Sequence, residues 1–218
     1  GNTDLKIGRR VIDWVYEDLN AVLKQENVNN FMITGHSQGN PHAMAAAYHF
    51  KDRCIGLGMN APFLPNNLTK EINLEGALGY EQLKTTDELK NPLNAWWFFT
   101  IYLSTDIFSP YLPLTALIYT DENIEKDSIL LEMVSYSIKR SVIRGSVGSS
   151  WESAKDVCYN WGFDPREIET KNICVWHASD DNLCPPETGE WLANYFKKKG
   201  AIVNFKNDNI GYGHMTYC

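Results

Sequence analysis

The sequence predicts an α/β fold built on a parallel sheet, and three features carry that expectation. Short apolar runs at Phe31–Thr34, Cys54–Met59, Ile173–His177 and Ala201–Phe205 have the length of strands rather than helices. Helical patterns lie between them, one opening after Gly39 and one over Pro186–Lys199. The runs are apolar throughout instead of alternating with polar residues, as strands covered on both faces require.

The elements follow in order. From Ile7 to Gln25, residues Val11, Trp14, Val15, Asp18, Leu19, Val22 and Leu23 recur near a 3.6-residue period, which predicts an amphipathic helix. Asn27–Asn30 breaks it, and the Phe31–Thr34 strand follows, ended by Gly35. The next helix carries Pro41 in its first turn, where a missing N–H costs little, and runs through Met44–Tyr48. The Cys54–Met59 strand is closed by Asn60-Ala61-Pro62.

After residue 62 the alternation stops. Residues 63–148 are predicted to form a helical insertion that holds much of the aromatic bulk, with a helix over Ile124–Arg144 carrying Ile129, Leu130, Met133, Val134 and Ile138 on one face. Alternation resumes over 149–218, with a helical pattern at Trp151–Trp161 and, in the Pro186–Lys199 helix, Trp191, Leu192 and Tyr195 turned inward. The last strand leads to a glycine-bracketed loop, Gly211–His214. The expected organisation is therefore core over 1–62, insertion over 63–148 and core again over 149–218.

Bulk properties exclude several classes. The chain has 218 residues, 44% hydrophobic, enough for a sizeable core, and a formal net charge of -7 that argues against nucleic-acid binding. No apolar run reaches the roughly 18 residues of a membrane span, and the N-terminus lacks the pattern of a signal peptide. The five cysteines form no C-x-x-C pair, which favours free thiols in a reducing compartment and a cytoplasmic location; the sequon Asn67-Leu68-Thr69 points the other way.

The chemistry concentrates at three places. Phe31–Thr34 runs into Gly35-His36-Ser37-Gln38-Gly39 and then a helix, the G-x-S-x-G strand–turn–helix arrangement of a nucleophile elbow. The turn lifts Ser37 clear of the sheet at the positive end of the following helix, and side chains larger than glycine at positions 35 and 39 are expected to collide with their surroundings. The Gln38 N–H is placed to hold an oxyanion. A serine needs a base, and the base an orienting acid. The loop after the third strand supplies Asp181, with Asp180 as the alternative, and the loop after the last strand supplies His214. A simpler role for Ser37 is to cap the helix that follows. His36, His42 and His49 read as structural, since nothing nearby completes a metal ligand set, and His177 reads as shaping the acid loop. No metal and no organic cofactor is expected.

With these residues in place, the sequence resembles the α/β-hydrolase superfamily of serine hydrolases. The acid loop of that family has the form HG-x-x-D-x-x-V-P, and WHASDDNLCPP is similar to it, with Ala178 in place of the glycine and Cys184 in place of valine. Ser149–Phe163 resembles a segment of some plant and microbial members, and the likeness covers almost the whole chain outside the insertion, which corresponds to the variable cap. The resemblance implies an acyl-ester hydrolase with Ser37, Asp181 and His214 as catalytic residues. A small apolar ester is the expected substrate, with Trp96, Trp97 and Phe98 of the insertion as candidate pocket residues.

The family builds its sheet from eight strands, whereas this sequence supplies only the last four, without the loop that donates the second oxyanion N–H. An N-terminal segment or a second chain is expected to complete the sheet, since Phe31–Thr34 would otherwise form an exposed apolar edge. The alternative is a non-catalytic subunit or binding module that retains the fold.

Overall fold

The computed structural model describes residues 6, 9–69, 126–141, 161–181, 184–208 and 213–215. Its centre is a four-stranded parallel sheet in the order β1-β2-β3-β4, with β1 Phe31–His36, β2 Cys54–Asn60, β3 Asn172–Ala178 and β4 Ile202–Asp208. All four strands coincide with the apolar runs of the sequence and end one to three residues beyond them, while β4 begins at Ile202, one residue later than expected. The extension of β1 through Gly35 and His36 matters most, because it carries the ladder to the His36–Asn60 pair at the lip of the sheet.

Helix α3, Gly39–Phe50, connects β1 to β2 and packs on both. Its Ala43, Met44, Ala45, Ala46 and Ala47 are buried, and the four alanines are small enough to let the helix lie close to the strands. Helix α6, Pro186–Lys198, does the same for β3 and β4, with Leu192, Ala193 and Phe196 buried. Trp191 and Tyr195 pack partly buried against the same core and stack on one another at 5.3 Å. The short α4, Asn66–Thr69, follows β2, and α5, Ser128–Ser141, lies inside the predicted insertion.

Two expectations need correction. The N-terminal helix is not uniform: α1, Val11–Trp14, and α2, Asn20–Gln25, are joined by a π turn over Val15–Leu19, in which the Asn20 N–H reaches the Val15 carbonyl. The wider turn shifts the phase of the buried stripe. Ile12 is therefore buried, whereas Val22, a member of the regular stripe, is 55% exposed. On α5, Ile129 and Met133 are 72% and 61% exposed, so the face drawn through them does not bury these two side chains. Trp96, Trp97, Phe98 and the helix expected over Trp151–Trp161, apart from its last residue, lie outside the described residues.

Among the described residues β1 stands at the edge of the sheet, and Met32 on it is 73% exposed. Cys54, Cys174 and Cys184 carry free thiols. Among the described residues no helix is long and apolar enough to cross a membrane.

Candidate active site

Three loops at the C-terminal ends of β1, β3 and β4 form the site, the rim where parallel α/β sheets place their chemistry. Ser37 follows β1 directly and has φ 50, a left-handed conformation that a non-glycine residue adopts only when its surroundings enforce it. Those surroundings are visible. The Ser37 N–H donates to the Asn60 carbonyl at 3.0 Å. The Ser37 carbonyl accepts from the Asn40 N–H at 3.0 Å and from Asn40 Nδ2 at 2.9 Å. Asn40 Nδ2 also donates to the Asn60 carbonyl at 2.8 Å, so one fully buried amide ties the turn to the end of β2.

Of the two flanking glycines, only one meets the expected steric demand. A Cβ on Gly35 would stand 2.6 Å from the Gly39 carbonyl oxygen, closer than real atoms come, whereas a Cβ on Gly39 would meet nothing within 4 Å. The elbow needs glycine where β1 passes under the start of α3, and not where α3 begins. The N-cap of α3 is Gln38, with no side-chain cap bond, so Ser37 does not cap this helix. Gln38 stands at the positive N-terminal end of α3, immediately after Ser37.

The structure brings Asp181 and His214 together. His214 Nδ1 lies 2.9 Å from Asp181 Oδ2, and both side chains are buried. Asp180 does not take this place: its Oδ2 accepts the Gly213 N–H at 3.4 Å. The other Asp181 oxygen, Oδ1, accepts the Cys184 N–H at 2.9 Å.

His177 does more than shape the loop. It is fully buried, with Nε2 3.2 Å from Asp181 Oδ2 and 2.8 Å from the Cys184 carbonyl. Two acceptors on one nitrogen fix the proton there, so Asp181 Oδ2 receives two imidazole N–H groups. The ring is seated on α6, where a Cβ on Gly189 would come within 2.6 Å of His177 Nδ1.

His36 likewise exceeds the packing role expected of it. Its Nε2–H donates to the His214 carbonyl at 2.8 Å, and the two rings lie 5.1 Å apart. The residue preceding the serine thus anchors the histidine loop. His42 and His49 instead pack edge-on against Trp14 and Tyr16.

The electrostatics follow from this geometry. Burial works against the Asp181 charge, but hydrogen bonds from His177 and His214 outweigh it and hold the carboxyl below its ordinary range. Burial also works against a charged His214, yet the adjoining Cys184 and Asp181 raise its pKa. His36 is pushed down to about 4, chiefly by burial and then by His214. One further grouping emerges: donor atoms of Asp181, Cys184 and His214 all lie within 4.8 Å of one another.

No protein-family profile matches the chain, and no curated protein matches it in sequence. Solved structures do match. Est816, described as an N-acyl homoserine lactone degrading enzyme, is 16% identical with a TM-score of 0.60, over 98% of this chain and 72% of its own. The hydrolase olei00960 from Oleispira antarctica is 16% identical with a TM-score of 0.59, over 98% and 70%. Homoserine O-acetyltransferase from Bacillus anthracis is 15% identical with a TM-score of 0.54, over 94% and 60%. The chain has the α/β-hydrolase fold. It spans 60–72% of the length of these three proteins.

Proposed function

We propose that the chain carries the catalytic residues of a serine hydrolase that cleaves an acyl ester through an acyl-enzyme. The observation that carries this reading is the buried 2.9 Å bond between Asp181 and His214, in a fold whose elbow holds Ser37 at φ 50. His214 takes the Ser37 proton through Nε2 as the serine oxygen attacks the ester carbonyl, and Asp181 orients the ring and stabilises its cation. The Gln38 N–H, at the helix terminus, helps hold the oxyanion. His214 then returns the proton to the departing alcohol, and water activated by the same imidazole releases the acid. Solved structures of this fold include proteins described as a lactone-degrading enzyme and as hydrolases, in keeping with acyl chemistry.

An apolar ester is the proposed substrate, from the aromatic residues Trp96, Trp97 and Phe98 in the sequence of the insertion. The proposed partner is an N-terminal segment or second chain that pairs with β1, whose edge position and exposed Met32 leave room for it. The test is a fluorophosphonate probe on the native assembly: labelling that disappears in Ser37→Ala supports the enzyme. Absence of labelling in the wild type overturns it in favour of a non-catalytic binding module, the reading that the edge position of β1 favours.

A further inference from the structure

Cys184 has no part in the hydrolytic steps, yet its side chain is buried beside the two residues that handle the proton. A carboxylate, a thiol and an imidazole have donor atoms within 4.8 Å of one another. That mixture is the ligand chemistry of zinc and its thiophilic relatives, not of calcium or magnesium. A tetrahedral zinc shell places neighbouring donors roughly 3.3–3.8 Å apart, from bond lengths of about 2.0–2.3 Å. Asp181 Oδ2 and His214 Nδ1 already stand 2.9 Å apart, and every donor pair of the cluster lies within about 1 Å of the upper end of that range. The donors come from two different loops, following β3 and β4, so the grouping is not an accident of sequence neighbours.

We infer that Asp181, Cys184 and His214 form a binding site for a thiophilic divalent cation, of which Zn²⁺ is the type, and that occupancy shuts off the proposed hydrolase. On binding, the Cys184 thiol releases its proton to solvent as the metal–sulfur bond forms. The imidazole gives the metal one lone pair. Held at Nδ1, the ion displaces the proton shared with Asp181 and leaves Nε2 protonated; held at Nε2, it occupies the lone pair that would accept the serine proton. Either way the base is blocked. A water completes the shell.

Metal binding rests on the three donors alone, while its consequence for turnover rests on the hydrolase reading, and the experiment separates the two. Titrate the full-length wild-type protein with Co²⁺ and follow the thiolate-to-cobalt charge-transfer absorption, which reports sulfur ligation whether or not Ser37 is nucleophilic. The expected result is saturation at one equivalent, loss of the band in Cys184→Val and in His214→Gln, and retention in Cys174→Ser. In the hydrolysis assay, Zn²⁺ should inhibit the wild type at least tenfold more strongly than Cys184→Val. Valine restores the residue common at this position in the resembling family, so the variant should fold. No charge-transfer band in the wild type, or an undiminished band in Cys184→Val, overturns the site. A band with unaltered turnover overturns the inhibition.

Discussion

His36 and His214 are joined by a 2.8 Å hydrogen bond from the ring of the first to the backbone carbonyl of the second. The residue before the serine is thereby attached to the residue proposed as its base, across 178 positions of sequence. Donation to a carbonyl favours the charged ring, but burial outweighs it and lowers the His36 pKa to about 4.

That depression makes stability depend on pH. An unfolded His36 takes up a proton near pH 6.5, whereas the folded one resists until about pH 4, so the unfolded chain binds more protons within this window. His36 therefore contributes its full stability above 6.5 and loses it as the pH falls towards 4, by about 1.4 kcal/mol per unit and about 3 kcal/mol in all. Urea midpoints of wild type and His36→Gln at pH 7 and pH 4.5 should show a smaller acid loss in the variant.

In the proposed hydrolase, the raised pKa of His214 should set the pH dependence of turnover. A base acts only when neutral, so raising its pKa moves the acid limb of kcat/KM upward, above 6.5. Asp181→Asn removes the carboxylate that supports the cation and should move the limb to lower pH, with kcat reduced about 10⁴-fold. A limb that stays in place in Asp181→Asn would contradict the assigned pairing.

The two glycines of the elbow should behave unequally. Gly35→Ala drives a methyl group into backbone at 2.6 Å and should cost about 3 kcal/mol or more. Gly39→Ala enters open space at the start of a helix and should be neutral or stabilising by up to about 1 kcal/mol. Thermal unfolding of both variants decides it.

Asn40→Ala should cost about 2–3 kcal/mol, because it withdraws the amide bonded to the Ser37 and Asn60 carbonyls in a buried place. The relaxed turn should also slow fluorophosphonate labelling of Ser37. Equal labelling rates in a folded Asn40→Ala protein would show that the turn holds its shape without the amide.

Gly189→Ala should act at a distance. The added methyl group pushes His177 away from Asp181 and the Cys184 carbonyl, so kcat should fall about tenfold with KM little changed. Steady-state kinetics on the folded variant separates this from a general loss of structure.

The strands were legible because each is a continuous apolar run, and the order Ser37, Asp181, His214 was legible because three short motifs end three of those runs. The π turn was not: a periodicity argument assumes one helical pitch, and a change of pitch within it moves Val22 out and Ile12 in. His177 and His36 were visible as residues but not as hydrogen-bond donors, since their acceptors belong to a carboxylate and two carbonyls that only tertiary structure brings near. Asn40 carried no motif of its own. Cys184 looked like a mild replacement for valine, and its significance lies in a neighbour 30 residues further on.

The Asp181–His214 bond joins loops that follow adjacent strands paired from Asn172–Ile202 to Ala178–Asp208, whereas Ser37 hangs from the other half of the sheet. Ser37 and the Asp181–His214 pair are thus carried by separate strand–helix–strand units that meet along the β2–β3 seam. The His36 bond to the His214 carbonyl spans that seam, so the imidazole keeps its place only while the first unit is folded against the second.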